Sequence, residues 1–160
     1  MSVVPKTPPL VRPAILVIHG PNLNLLGTRE PQIYGRATLK DVETLCRKTA
    51  AAHGATIEFR QSNHEGEIVD WIHEAGARKA SGVVLNPAGF THTSVAIHDA
   101  IKAVDVPVIE THITTIHARE PWRRHSYVSF VAKAVICGFG IQGYALAIDG
   151  IAAMAKPGRR

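Results

Sequence analysis

Three segments of the sequence concentrate side chains that can bind anions or move protons. The first covers residues 19–35 and carries two amides, a guanidinium and a phenol, on Asn22, Asn24, Arg29 and Tyr34. A connection between a strand and a helix usually has about 2–6 residues, and longer connections are often functional. This segment is far longer, and Gly-Pro, Glu-Pro and Tyr-Gly pairs punctuate it, so we expect it to form part of a functional site.

The second segment, residues 86–94, has Asn86 directly after a predicted strand and His92 beside a predicted helix start. Backbone N–H groups at a helix start attract anions, so His92 could help to bind a negatively charged ligand. A second interpretation fits equally well. In that case Thr91 or Thr93 caps the helix and His92 is an ordinary surface residue.

The third segment, residues 110–124, contains Glu110 two positions before His112 and Arg119 four positions before Arg123. A carboxylate that orients an imidazole is common in general acid–base catalysis. The spacing of the two arginines would let them project from one helical face and hold a carboxylate. Taken alone, however, this pair fits a surface salt-bridge arrangement somewhat better.

Together the three segments favour proton transfer next to a carbonyl group, which needs a base, an acid and a stabilised oxyanion. They offer no obvious serine or cysteine nucleophile and no carboxylate pair suited to glycoside hydrolysis. Tyrosine is a poor base at its usual pKa of about 10. A nearby guanidinium favours the phenolate, so Arg29 would make Tyr34 a candidate base.

Other kinds of site are less well supported by the spacing. His92, His112 and His117 could ligate zinc in a metal hydrolase, but no close-spaced pair such as H-E-x-x-H is present. A flavin- or nucleotide-binding module is a further alternative, because residues 138–143 match G-x-G-x-x-G. No strand follows that motif and no acidic residue stands about 20 positions on. We therefore interpret its glycines as permitting a tight turn and close helix packing.

Composition bounds the remaining possibilities. The 160 residues predict one globular domain, with 46% hydrophobic and 19% charged residues. The net charge of +5 favours a solvated basic surface over nucleic acid, because aromatic residues do not interleave with the basic ones. An anionic small substrate is also compatible. Cys46 and Cys137 stand far apart, which is typical of core thiols in a reducing cytosol. No run is long enough for a membrane span.

The two ends of the chain differ from its middle. Residues 1–13 contain four prolines and no unbroken apolar run, which predicts a disordered leader and not a secretion signal. Residues 157–160 predict a basic tail. Between them, residues 14–156 are expected to form a single catalytic α/β domain.

Strand and helix patterns alternate through that domain. Apolar or alternating runs predict strands at 15–18, 56–61, 82–85, 106–109 and 134–137. Helical periodicity predicts helices at 38–54, 65–79, 94–104 and 140–155, with a short helical turn at 123–125. This alternation indicates a doubly wound α/β fold, in which ligands bind beyond the carboxyl ends of parallel strands. The loops after strands 1, 3 and 4 should therefore meet at one end of the sheet.

Seven motifs in this sequence resemble the signature of type II 3-dehydroquinate dehydratases. They are GPNLNLLG-x-REP-x-x-YG at 20–35, QSN-x-EG at 61–66, NP-x-x-x-THTS at 86–94, E-x-HI at 110–113, H-x-RE at 117–120, RHS at 124–126 and G-x-G-x-x-GY at 138–144. The resemblance extends from Ile15 to about Ile151, which is nearly the whole folded chain. Motifs this long and in this order are very unlikely to occur by chance.

The resemblance implies a flavodoxin-like sheet of five parallel strands in the order 2-1-3-4-5. It also implies a cytoplasmic enzyme that assembles as a dodecamer of four trimers. The implied reaction is the anti elimination of water from 3-dehydroquinate through an enolate, which gives 3-dehydroshikimate in the third step of the shikimate pathway. The family needs neither a metal nor a cofactor for this reaction.

By position, the resemblance assigns the proton transfers to five residues. Tyr34 would be the base that removes a C2 proton, and Arg29 would hold it as the phenolate and stabilise the transition state. A water held near Asn22 would stabilise the enolate. His112 would be the acid that protonates the departing C1 hydroxyl, with Glu110 orienting its ring.

The resemblance also implies how the substrate is held. Asn86, His92 and Arg123 would bind substrate hydroxyl groups. The backbone amides of Ile113 and Thr114 would bind the substrate carboxylate. These expectations concern recognition and do not alter the proposed proton transfers.

Two further residues have implied roles outside the centre of the site. Asp99 would reach the site of a neighbouring copy in the trimer. Arg119 would belong to a flexible lid, with residues 29–34 as the closing loop. The sequence departs from the family at residues 114–115, where Thr-Thr replaces the usual Ser-Asn, and at His19, which is commonly asparagine. The first departure removes one amide side chain and bears on the order of that loop.

Overall fold

A computed structural model of the chain describes residues 14–155, so the predicted leader at 1–13 and basic tail at 157–160 lie outside the described residues. Five parallel strands form one sheet in the order β2-β1-β3-β4-β5. They are β1 (Ile15–His19), β2 (Ile57–Gln61), β3 (Gly82–Asn86), β4 (Val108–His112) and β5 (Ala134–Cys137). This order confirms the predicted flavodoxin-like, doubly wound topology.

Helices cover both faces of the sheet. They are α1 (Pro31–Tyr34), α2 (Leu39–Ala52), α3 (Glu65–Ala77), α4 (Val95–Lys102) and α5 (Gln142–Met154). Val17 belongs to the core under α2 and α5, whereas Leu16 and Ile18 belong to the core under α3 and α4. Successive residues of a strand point to opposite faces, so the unbroken apolar run of β1 serves both cores. No helix within residues 14–155 is long and apolar enough to cross a membrane.

Side-chain caps fix where two of the helices begin. Thr38 Oγ1 accepts a hydrogen bond from the N–H of Asp41, and the Asp41 carboxylate accepts one from the N–H of Thr38. This capping box starts α2 as the sequence predicts. Ser94 Oγ accepts a hydrogen bond from the N–H of Ile97 at 2.9 Å and starts α4. The alternative in which Thr91 or Thr93 caps this helix is therefore wrong.

The fourth strand lies later in the chain than predicted. The sequence indicates residues 106–109, but β4 spans Val108–His112. Thr111 and His112 continue the ladder opposite β5, and the carboxyl end of the strand is fully buried despite its polar side chains. Because residues two apart on a strand share one face, Glu110 and His112 project side by side. Their pairing therefore arises on a rigid strand and not in a loop.

The connections that follow β1, β3 and β4 contain short helical turns. Short 3-10 helices occupy Leu23–Leu25, Ala88–His92, Ile116–Ala118 and Pro121–Arg123. The last replaces the helical turn predicted at 123–125. It begins two residues earlier because Pro121, whose φ is preset, stands at the first position of the turn.

The glycine motif before α5 has a structural role. Gly138 and Gly140 have φ values of 89° and 59°, which residues other than glycine rarely adopt. A Cβ on Gly143 would lie 3.0 Å from Thr111 Oγ1, so the helix passes close to β4 at this point. The interpretation of these glycines as turn and packing residues is confirmed.

Candidate active site

A cavity of about 250 Å³ opens beyond the carboxyl ends of β1, β3 and β4. Ten of the predicted site residues line it: Asn22, Arg29, Tyr34, Asn86, His92, His112, Ile113, Thr114, Arg119 and Arg123. The expectation that the three loops meet at one end of the sheet is therefore confirmed. Three arginines and two histidines line this space without a carboxylate among the lining residues, which suits an anionic ligand.

Tyr34 enters the cavity from the end of the short helix α1. Its hydroxyl oxygen accepts a hydrogen bond from Arg119 Nη1 at 2.9 Å. The guanidinium carbons of Arg119 and Arg29 lie 5.3 and 5.4 Å from the centre of the phenol ring. From the sequence we expect Arg29 to stabilise the Tyr34 phenolate and Arg119 to belong only to a lid. In the structure, Arg119 contacts the oxygen and Arg29 contacts the ring.

His112 reaches the cavity from the end of a buried strand, whereas Tyr34 reaches it from a loop. Its Nε2 lies 2.6 Å from Glu110 Oε1, so Nε2–H donates to the carboxylate. The other ring nitrogen is left for a ligand in the cavity. Glu110 is fully buried behind the ring and does not itself line the cavity. The predicted carboxylate–imidazole pair is therefore present.

Glu110 is an ionised carboxylate in a buried position. Burial alone would raise its pKa, but the hydrogen bond and charge of His112, with hydrogen bonds from Ser129 and Thr91, lower the pKa to about 2. Ser126 Oγ donates a further hydrogen bond at 2.8 Å. Sequence reasoning did not identify these hydroxyl groups as partners of Glu110. The signals available were the RHS motif at 124–126 and the first threonine of the THTS motif.

His92 is neutral and presents a hydrogen-bond acceptor. Its Nδ1 lies 2.7 Å from the carbonyl oxygen of His125, so Nδ1–H must be the donor. Burial, together with the charge of Arg123, lowers the pKa of His92 below its usual value of about 6.5. The neutral ring then carries an unprotonated Nε2. That nitrogen can accept a hydrogen bond from a ligand hydroxyl group.

Asn86 is held on both ends of its amide. Its Nδ2 donates to the Tyr144 hydroxyl at 2.9 Å, and its Oδ1 accepts from the N–H of Ala88 at 3.1 Å. One N–H and one lone pair remain for a ligand. Tyr144 is fully buried and stacks on His19, with ring centres 5.2 Å apart. Burial lowers the pKa of His19 to about 4.

Arg119 and Arg123 do not share a helical face, so the interpretation that they project together from one helix to hold a carboxylate is wrong. Arg119 has extended backbone after the turn Ile116–Ala118, whereas Arg123 ends the next turn. Both side chains approach Glu120, at 3.7 and 2.9 Å, and both still line the cavity. Trp122 was not predicted from the sequence, and the centre of its ring lies 4.3 Å from the Arg123 guanidinium carbon.

Asn22 is positioned by its left-handed backbone conformation and by contacts with residues at the end of β2. Its φ is 68°, a conformation that asparagine tolerates better than most residues. Its N–H donates to Asn63 Oδ1 at 3.0 Å, and Gln61 Nε2 donates to the Gly20 carbonyl at 3.2 Å. The QSN motif, which begins at the last residue of β2, therefore shapes the start of the loop that follows β1.

Two more predictions concern backbone groups and a distant carboxylate. Within residues 14–155, no group accepts a hydrogen bond from the N–H of Ile113 or Thr114, so both remain available at the cavity wall. Asp99 does not line this cavity. It lies on α4 with a side chain that is 68% exposed and pairs with His98 at 2.9 Å.

The three histidines considered for zinc are not brought together. Within residues 14–155, no three His, Cys, Asp or Glu side chains form a group that could hold a metal ion. His117 is exposed, and His112 is engaged by Glu110. The cavity thus combines a phenol–guanidinium pair and an imidazole–carboxylate pair with a wall of cationic side chains.

The comparison with protein families agrees with this geometry. The family model described as Dehydroquinase class II matches residues 13–152. The chain belongs to the class II dehydroquinase family. That match spans all five strands and every residue that lines the cavity.

Individual relatives of this dehydroquinase family are similar over nearly their full length. The 3-dehydroquinate dehydratase of Acidovorax sp. (strain JS42) is 63% identical over 142 residues, which cover 86% of this chain and 96% of the relative. That of Streptomyces avermitilis is 58% identical over 157 residues, with 98% of each chain covered. The crystal structure of type II dehydroquinase from Propionibacterium acnes has a TM-score of 0.84 and 42% identity, covering 88% of this chain and 96% of that one.

Proposed function

We propose that this chain is a type II 3-dehydroquinate dehydratase that catalyses the third step of the shikimate pathway. The reaction eliminates water from 3-dehydroquinate in the anti sense and gives 3-dehydroshikimate. One observation carries the proposal: Tyr34 and His112 line the same cavity. The Tyr34 phenol is hydrogen-bonded to a guanidinium, and the His112 imidazole is hydrogen-bonded to a buried carboxylate. One pair is suited to accept a proton and the other to donate one.

Tyr34 is the proposed base. As the phenolate it removes a proton from C2, and the C–H electron pair becomes the enolate of the neighbouring C3 ketone. The hydrogen bond from Arg119 and the nearby charge of Arg29 both favour the anionic phenolate over the phenol. A water held near Asn22 stabilises the enolate oxygen in this proposal.

His112 is the proposed acid. Its cavity-facing nitrogen gives a proton to the C1 hydroxyl, which departs as water while the enolate electrons form the C1–C2 double bond. The Glu110 carboxylate, kept anionic, favours the protonated imidazole that this step consumes. The base and the acid thus act in turn, and the proposed reaction uses no cofactor and no metal.

The remaining residues are proposed to hold the substrate. The free N–H groups of Ile113 and Thr114 suit its carboxylate, since backbone N–H groups are good anion donors. The acceptor nitrogen of His92, the fixed amide of Asn86 and the guanidinium of Arg123 suit its hydroxyl groups. Recognition is therefore proposed to depend mainly on polar contacts.

Assembly and location are also proposals. We propose a homododecamer of four trimers, in which the exposed carboxylate of Asp99 reaches a neighbouring copy's site. The exposed aromatic side chains of Phe130 and Phe139, next to the edge strand β5, support contact with further copies of the chain. We propose a cytoplasmic enzyme whose catalytic domain is residues 14–156, in keeping with two free cysteines.

An absorbance assay tests the activity. The product is a conjugated enone that absorbs in the ultraviolet, whereas the substrate is not conjugated. We expect purified protein to produce this absorbance from 3-dehydroquinate after chelator treatment and after borohydride pretreatment, because the mechanism uses neither a metal nor an imine. Folded protein that produces no absorbance would overturn the proposal. Loss of activity with chelator or borohydride would overturn the mechanism.

A further inference from the structure

Three hydroxyl groups surround the carboxylate of Glu110, and the reaction described so far gives them no part. Thr91 Oγ1 and Ser126 Oγ lie 2.7 and 2.8 Å from Oε1, and Ser129 Oγ lies 2.5 Å from Oε2. His112 Nε2 completes the set at 2.6 Å from Oε1. Within residues 14–155, every partner of this buried carboxylate is a donor.

We propose that Thr91, Ser126 and Ser129 are positioning residues for His112. By hydrogen-bonding Glu110 they keep the imidazole protonated, so that its cavity-facing nitrogen can give a proton to the departing hydroxyl group. This inference rests on the proposed function. An ionised carboxylate accepts about four hydrogen bonds, and here four donors occupy it. Glu110 is thereby fixed in place and is a weak base. It holds the imidazole ring without taking the proton from Nε2.

Removing one hydroxyl group would weaken the acid and leave the base untouched. A carboxylate with fewer donors is a stronger base, so it would draw the Nε2 proton away from His112. The ring would then be neutral and would give up its cavity-facing proton less readily. Tyr34 has no bond to any of these hydroxyl groups; its hydroxyl is paired with Arg119. The two proton transfers should therefore respond differently.

Backbone hydrogen bonds hold these hydroxyl groups in position around Glu110. The N–H of Ser129 donates to Ser126 Oγ at 3.1 Å, so this oxygen already accepts a hydrogen bond and its proton is left for Glu110. Thr91 Oγ1 lies 2.7 Å from Ser126 Oγ. The N–H of Tyr127 donates to the Thr91 carbonyl at 2.8 Å. These contacts dock residues 126–129 on the turn that carries Thr91. This stretch begins three positions after Arg123.

Two pairs of variants isolate the hydroxyl groups. Ser129→Ala and Thr91→Val remove a hydroxyl, whereas Ser129→Thr and Thr91→Ser retain it. Ser129 is an exposed residue, so its substitution leaves the core intact, while Thr91 is fully buried. Circular dichroism and urea unfolding of each variant establish that it is folded. The Ser129 pair keeps the test decisive even if Thr91→Val proves unstable.

The measurement separates the two proton transfers in D2O. It compares deuterium incorporation at C2 of recovered 3-dehydroquinate, which reports the base, with formation of the enone, which reports the acid. We expect Ser129→Ala and Thr91→Val to raise the ratio of exchange to elimination by about 10-fold, the loss typical for one hydrogen bond to a charged group. The hydroxyl-retaining variants should keep the wild-type ratio.

Two results would overturn the inference. One is an equal fall of both rates in the hydroxyl-free variants, which would indicate a purely structural role. The other is a ratio in Ser129→Thr that matches that in Ser129→Ala. Failure of the proposed function is distinguishable from either, because wild-type protein would then form no enone.

Discussion

The cavity has two sides that are built in different ways. On one side Tyr34 sits at the end of a four-residue helix, in a long loop whose residues are mostly exposed. On the other side His112 ends β4, an inner strand of the sheet between β3 and β5, and Glu110 beside it is fully buried. The side proposed to supply the acid is held by the sheet. The side proposed to supply the base is held by side chains from other parts of the chain, above all by Arg119.

This difference matches the role that we propose for each side. A strand end with a buried carboxylate keeps an imidazole oriented before any ligand arrives, which is the preorganisation that catalysis needs. A loop can move to admit the substrate and then bring the phenol and its arginines to it. Residues 119–129 link the sides, since Arg119 contacts Tyr34 and Ser129 contacts Glu110.

The largest expected effect is on the loop side. Tyr34→Phe removes only the hydroxyl, and we expect kcat to fall by about 10³-fold or more because the base is lost. The ring stays in place, so the fold and the assembly should be unchanged by circular dichroism and size-exclusion chromatography. A variant that retains more than a tenth of wild-type kcat would contradict Tyr34 as the base.

The buried histidine at the end of β1, His19, should affect how the stability of the fold depends on pH. His19 has a folded-state pKa of about 4 against an ordinary value of 6.5, so the unfolded chain takes up the proton first. The stabilisation from keeping His19 neutral is present above pH 6.5 and is lost as pH falls to about 4. It amounts to about 3 kcal/mol.

Urea unfolding at pH 7.5 and pH 4 tests this expectation. In His19→Asn, which cannot take up that proton, the decrease in unfolding free energy between the two pH values should be about 3 kcal/mol smaller than in wild type. Equal decreases in the two proteins would show that burial of His19 does not control acid stability.

The two arginines should matter only while the phenol is present. Arg119→Met should lower kcat by about 10- to 100-fold, since it removes a hydrogen bond to a charged group. Arg29→Met should also lower kcat. In the Tyr34→Phe background neither substitution should lower kcat further by more than about 2-fold, because contacting groups are coupled. Equal losses in both backgrounds would place the action of the arginines elsewhere.

The smallest expected effect concerns substrate recognition. Arg123 lies over the Trp122 ring at 4.3 Å and donates to Glu120, an arrangement that a lysine cannot reproduce. We expect Arg123→Lys to raise KM by about 10-fold with little change in kcat, measured by steady-state kinetics. A fall in kcat with KM unchanged would instead assign Arg123 to the chemical steps.

Much of the fold follows from local sequence patterns. The apolar run of β1, the Thr38 capping box and the glycines around Gly138 each determine their own structure through nearby residues. The alternation of strands and helices then fixes which loops share an end of the sheet. The assignment of ten site residues to one cavity rests in addition on the resemblance to the family, because the pattern of strands and helices indicates the loops and not the individual side chains.

What the sequence could not supply are contacts between distant residues. Arg119 and Tyr34 are 85 positions apart, and only the conformations of two irregular loops bring them together. β4 extends through Thr111 and His112 because β5 pairs with them, which no local propensity indicates. The hydroxyl of Ser129, 19 positions from Glu110, became a partner by the same kind of long-range packing.

The most direct test of the account is hydrogen exchange at C2 in two variants that each lack one side's chemistry. In D2O, His112→Asn should still exchange the C2 hydrogen of 3-dehydroquinate for deuterium but form almost no enone, because the base remains and the acid is gone. Tyr34→Phe should do neither beyond the enzyme-free rate. Exchange at the wild-type rate in Tyr34→Phe would contradict the assignment of base and acid to the two sides of the cavity.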